Sequence, residues 1–91
     1  NESVSEYYLS SSFPNPFNSA STIKYYIPST SQVIIKVFNT LGEEIETLVD
    51  EVKSTGTYQV TWNAKDLSSG VYFYRLQAGS FVQTRKMILL K

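Results

Sequence analysis

The chain has 91 residues with no cysteine and no histidine, and its eight basic residues balance its eight acidic ones. A length near this suits one domain with a modest core. The two zeros exclude disulfide staples, Ser-His-Asp and Cys-His nucleophile systems and the usual zinc sites, and the balanced charge gives no steering toward nucleic acid or an anionic membrane.

The longest apolar runs, Val71–Tyr74 and Met87–Leu90, span four residues each, against about 20 for a membrane-spanning helix. No transmembrane segment is therefore expected. The chain opens at Asn1 with no Met and no basic leader, as expected of a piece of something longer. Charge is balanced only globally. Five acids and no base lie between Glu43 and Glu51, and four bases and no acid between Arg75 and Lys91. Two readings stand: two solvated faces of opposite sign, or a basic and apolar C-terminal surface offered to a partner.

Taken in order, residues 1–6 are polar and read as a linker, and Tyr7, Tyr8 and Leu9 as the first residues to touch a core. Phe13-Pro14-Asn15-Pro16-Phe17-Asn18 must be extended or turned, because Pro14 and Pro16 lack N–H groups and bias the residues before them away from the helical region. Its two phenylalanines are expected to plug one end of the core like a lid. Burying each would contribute about 1.5–3 kcal/mol.

A two-residue period then recurs. Ile23, Tyr25 and Ile27 form one apolar face and Pro28 ends the strand. Val33, Ile35 and Val37 form the next, followed by an Asn39-Thr40-Leu41-Gly42 turn with Gly where a left-handed residue is cheap. Ile45 and Thr47 continue the return strand, and Leu48-Val49 breaks the alternation as a bulge would. After Ser54-Thr55-Gly56 comes the cleanest alternation, Tyr58, Val60 and Trp62 against Thr57, Gln59 and Thr61, which places Trp62 on the core face. The 63–70 segment reads as a loop with one short helical turn pinned by Leu67. Val71–Gln77, apolar on nearly every position, reads as a central strand covered on both sides. Gly79-Ser80 suits a two-residue hairpin, and Phe81–Leu90 closes the chain as a last strand. Six to seven short strands with turns at roughly 8–12-residue spacing predict an all-β, immunoglobulin-like antiparallel β-sandwich.

Chemistry finds little support. Glu43, Glu44, Glu46, Asp50 and Glu51 are the material for a glycosidase pair, yet on a hairpin or edge they read as a solvated face. Asp50, Glu51 and Asp66 are too sparse for calcium. The reading expects no enzyme, no cofactor and no metal. A rival function is a carbohydrate-binding or structural accessory module. Seven Tyr, five Phe and one Trp could line a sugar-stacking platform, with Tyr8, Tyr26 and Tyr74 the candidates left unconstrained by the pattern.

Several stretches together resemble a known family, the type A C-terminal sorting domains of the type IX secretion system of Bacteroidota and relatives. They are Phe13-Pro14-Asn15-Pro16-Phe17-Asn18, Thr22–Tyr25 with Pro28, Val33–Gly42 with Ile45, Ser69–Leu76, and Lys86–Lys91. The Trp62–Tyr74 stretch is also similar to the immunoglobulin-like domain of flagellar hook-capping proteins, but the Phe-Pro-Asn-Pro-Phe-Asn opening favours the sorting family. The resemblance implies a sorting domain over 7–91 preceded by a passenger, with no catalysis of its own. It implies recognition by an outer-membrane translocon after passage through the periplasm, cleavage by a sortase-like surface peptidase, and delivery to the cell surface or medium. The expected signal residues are Gly70, Val71, Tyr72, Lys86, Met87, Ile88, Leu89, Leu90 and Lys91. Phe13–Asn18, Gly42 and Trp62 are expected to be structural.

Overall fold

The computed structural model describes residues 6–90. The expected linker as far as Ser5, and Lys91 at the end of the expected signal, lie outside the described residues. Seven strands occur among the described residues: β1 (Tyr8–Leu9), β2 (Ala20–Ile27), β3 (Ser31–Phe38), β4 (Glu44–Lys53), β5 (Gly56–Asn63), β6 (Gly70–Ala78) and β7 (Phe81–Leu89). They form two antiparallel sheets, ordered β1-β2-β5 and β4-β3-β6-β7. This is the expected β-sandwich. Compared with a constant-type immunoglobulin domain, the fourth strand has moved from beside the fifth to the edge of the other sheet.

Alternation decides what lies between the layers. Ile23, Tyr25 and Ile27 of β2, Val33, Ile35 and Val37 of β3, Trp62 of β5, Tyr74 and Leu76 of β6, and Met87 and Leu89 of β7 are buried. Removing each such aliphatic side chain from water contributes about 1.5–3 kcal/mol. Two inward tyrosines keep a polar tip. The Tyr74 hydroxyl donates to the Ser10 carbonyl at 2.6 Å, and burial pushes Tyr25 and Tyr74 above the ordinary phenol range. The Tyr72 hydroxyl donates to the Ser68 carbonyl at 2.8 Å, which is the tyrosine corner of immunoglobulin-like sandwiches at the entry to the sixth strand.

Turns follow their residues. Gly42 has φ +83°, and the Asn39 side-chain oxygen accepts from the Leu41 and Glu43 N–H groups at 2.9 and 3.0 Å. An Asn side chain at the first turn position closes a turn in this way. The break at Leu48 is a bulge, since Ile35 pairs with Val49 and Lys36 with Thr47. A second irregularity, at Ile45 where Val37 pairs with Glu46 and Phe38 with Glu44, was invisible in the pattern.

Four expectations need correction. Phe13 is 78% exposed, so only Phe17 enters the core. The backbone of Phe13 exchanges both hydrogen bonds with Thr22, at 2.8 Å each, and its ring stays outside. The 64–67 segment is a single turn closed by Leu67 N–H on the Ala64 carbonyl, with no helix. β6 is central, but its outer face (Val71, Phe73, Arg75) is only half-buried, because the described residues form two layers and none of them adds a third over it. Tyr74 is buried, and with Trp62 also buried, a sugar-stacking platform retains only the exposed Tyr8 and the half-buried Tyr26 of the expected aromatics.

Candidate recognition site

The expected signal residues lie in two sequence stretches that pairing makes one. Gly70 faces Leu89, Val71 faces Ile88, and Tyr72 faces Met87 across β6 and β7. One end of this strand pair therefore carries both halves of the expected signal. Strand parity then divides it. Tyr72, Met87 and Leu89 point inward and are buried, whereas Val71 and Ile88 are half-buried on the outer face, Lys86 is exposed and Leu90 is 55% exposed. Only the second group offers side-chain surface to a partner.

The outer face around that group is apolar and cationic. Phe38 and Phe73 face each other across β3 and β6, and the Arg75 guanidinium lies 4.6 Å from the centre of the Phe38 ring. Phe73 faces Lys86 in turn. A cation over an aromatic face is held by the ring quadrupole, so Arg75 stays on this surface beside the two rings. These three residues were not expected as site members. Phe73 and Arg75 fall on the same parity of β6 as Val71, which is the signal that would have found them, whereas Phe38 joins them only through its pairing with Phe73. The acidic stretch sits at the opposite edge, on β4 and the turn before it, where Glu43, Glu44, Glu46, Asp50 and Glu51 are all exposed. Lys36 and Glu44 form an ion pair at 3.1 Å, and this contact, followed by the Thr47 hydroxyl, holds the Glu44 carboxyl below its usual range. No group of His, Cys, Asp or Glu that could hold a metal occurs among the described residues.

The Phe13–Asn18 segment closes part of the β7 edge, a role that its composition did not reveal. Its Phe13-Pro14 and Asn15-Pro16 peptide bonds are cis. Two prolines cannot donate to a strand, and the Asn15 side chain substitutes for the missing backbone. Its Oδ1 accepts from the Ile88 N–H at 2.9 Å, and its Nδ2 makes a longer contact of 3.5 Å to the Lys86 carbonyl. Phe17 continues with true backbone pairing. Its N–H donates to the Ile88 carbonyl and its carbonyl accepts from the Leu90 N–H, both at 2.9 Å. The Ser21 hydroxyl ties the segment to β2 through the Pro14 carbonyl at 2.7 Å. Below, the Phe17 ring packs against Trp62 with centroids 5.8 Å apart. The motif near the start of the chain is thus a cover for its end.

Replacing Asn15 with alanine should leave the Ile88 N–H to water and cost about 0.5–1.5 kcal/mol, a drop of several degrees in melting temperature for a domain of this size. Asn15→Asp keeps the acceptor and should lose less. Thermal melts of the two variants, with amide exchange at Ile88, check this; equal losses in both would assign the effect to something other than the Ile88 bond.

Among the described residues no helix is long and apolar enough to cross a membrane. Comparison with known proteins gives one match to a family, described as the secretion system C-terminal sorting domain, over residues 11–90. No curated protein matches the chain.

Proposed function

Because the chain belongs to the family of type IX secretion system C-terminal sorting domains, we propose that it works as a non-catalytic address whose readable part is the outward side of the β6–β7 end. A sorting domain of this family implies a secretion system, a passenger, and export to the cell surface or outside. The finer reading follows the resemblance. The domain travels through the periplasm behind its passenger and an outer-membrane translocon reads it. A sortase-like surface peptidase then removes it at the polar stretch before Tyr7.

The observation that carries the proposal is the parity split. Of the expected signal residues, Val71, Lys86, Ile88 and Leu90 face outward while Tyr72, Met87 and Leu89 are spent on the core. A receptor can read only what the fold leaves on the surface, and this set joins with Phe38, Phe73 and Arg75 into one apolar, basic face. Deleting Lys86–Lys91 is a poor test, because it also removes Met87 and Leu89 from the interior. Fusing the chain behind a reporter in a bacterium with a type IX system is better. The reporter should reach the surface or medium, freed of about the 10.3 kDa of the domain. A folded fusion held in the periplasm would overturn the reading, and an exported fusion of undiminished size would overturn its cleavage step.

A further inference from the structure

We infer that the open half of the β7 edge, from Val82 to Lys86, is a strand-addition site for an extended, acidic segment of a partner protein. The inference deepens the sorting reading and rests on it for there being a partner.

The edge is open because of register. Ala78 and Phe81 pair across the two-residue Gly79-Ser80 turn. The pair that closes such a turn is hydrogen-bonded, so Phe81, Gln83, Arg85, Met87 and Leu89 direct their backbone groups toward β6. Those of Val82, Thr84, Lys86, Ile88 and Leu90 point away. Asn15 and Phe17 take the groups of Ile88 and Leu90 and reach the Lys86 carbonyl. β7 is the last strand of its sheet, so among the described residues nothing pairs with the backbone of Val82 and Thr84 or with the Lys86 N–H. An unpaired row of donors and acceptors is a template for another strand. The cover ends where this row begins, so an added strand would start against Asn15 and run toward Val82.

Charge selects the occupant. β6 and β7 hold Arg75, Arg85 and Lys86 and no acid. The Arg85 Nε is already committed to the Leu9 carbonyl at 2.7 Å and Arg75 lies over Phe38, whereas Lys86 is exposed and forms no ion pair among the described residues. Directly opposed unlike charges stabilise a strand pair by about 0.2–1 kcal/mol and like charges oppose it. The neighbour that fits is therefore acidic on the face that meets Lys86, with its apolar side chains on the other face. The chain's own acidic edge, β4, is a poorer fit. Register shifts opposite Ile35 and Val37 break it, and bulges of this kind bend an edge away from regular pairing.

The test uses the chain itself and a short, end-blocked peptide alternating Val and Glu, with a Val and Lys peptide as the contrast. Nuclear magnetic resonance should show the amides of Val82, Thr84 and Lys86 shifted and slowed in exchange by the Glu peptide alone. Thr84→Pro removes one outward N–H at a position an edge strand tolerates, so it should melt like the parent and lose the binding. Lys86→Glu should move the preference to the Lys peptide. Protection confined to β4 or β5, unchanged binding by a folded Thr84→Pro variant, or chain-to-chain association through this edge without peptide would each overturn the inference. No export is measured here, so any of those failures leaves the sorting reading standing.

Discussion

Replacing Trp62 with alanine should lower the unfolding free energy by about 3–5 kcal/mol, the usual cost of emptying a large buried aromatic site. Domains are stable by only about 5–15 kcal/mol in total, so this single change should bring the chain to the margin of folding. The reason is positional. Trp62 projects from one sheet and meets Phe17 of the covering segment, Tyr72 of β6 and Glu46 of β4. Its ring stacks edge-on against Tyr72 of the other sheet at 5.4 Å and lies 5.8 Å from the Phe17 ring. Its indole N–H donates to the Glu46 carboxylate at 3.0 Å. Trp62→Phe retains the apolar contacts and loses the N–H bond, so it should fall between the two. Urea unfolding of the chain checks this, and an alanine variant as stable as the parent would place Trp62 outside the packing that joins the two sheets.

The strands were legible because burial acts through parity. Tyr58, Val60 and Trp62 alternate without interruption, and the bulge at Leu48 announced itself by placing two apolar residues side by side. What escaped was set by contacts between distant parts of the chain. Asn15 pairs with residues 71 and 73 positions away, a relation no local pattern carries, so Phe13–Asn18 read as a two-ring lid. Phe13 and Phe17 look equivalent in sequence, yet pairing with Thr22 turns one ring out while the other meets Trp62. The outer face of β6 misled for a different reason. Val71 and Phe73 are as apolar as the inward Tyr72 and Leu76, and a surface kept apolar without a covering layer has the composition of a buried one. Of the expected signal, the pattern names two stretches but not which parity of each is displayed, because the pairing of β6 with β7 decides that.

Export should therefore respond to the outward residues and tolerate changes in the inward ones. Combining Lys86→Gln, Ile88→Thr and Leu90→Ser alters side chains that are half-buried or exposed, where single substitutions usually shift stability by within about 0.5 kcal/mol. The strand and its pairing with Asn15 and Phe17 run through backbone groups and should survive. Met87→Leu and Leu89→Ile change the core at nearly constant volume, at a cost usually below about 1.5 kcal/mol. If the address were the stretch as such, both sets of changes would matter alike. If it is the displayed side, the triple variant should lose most export with its fold intact, while the two inward variants keep theirs.

The most direct measurement is the exported fraction of a reporter carrying the Lys86→Gln, Ile88→Thr, Leu90→Ser variant, alongside the melting temperature of the same variant chain. Retention of the reporter inside the cell with a melting temperature close to the parent's is the expected result. Export at the parent's level would contradict the claim that the outward face of the β6–β7 end is what the secretion machinery reads.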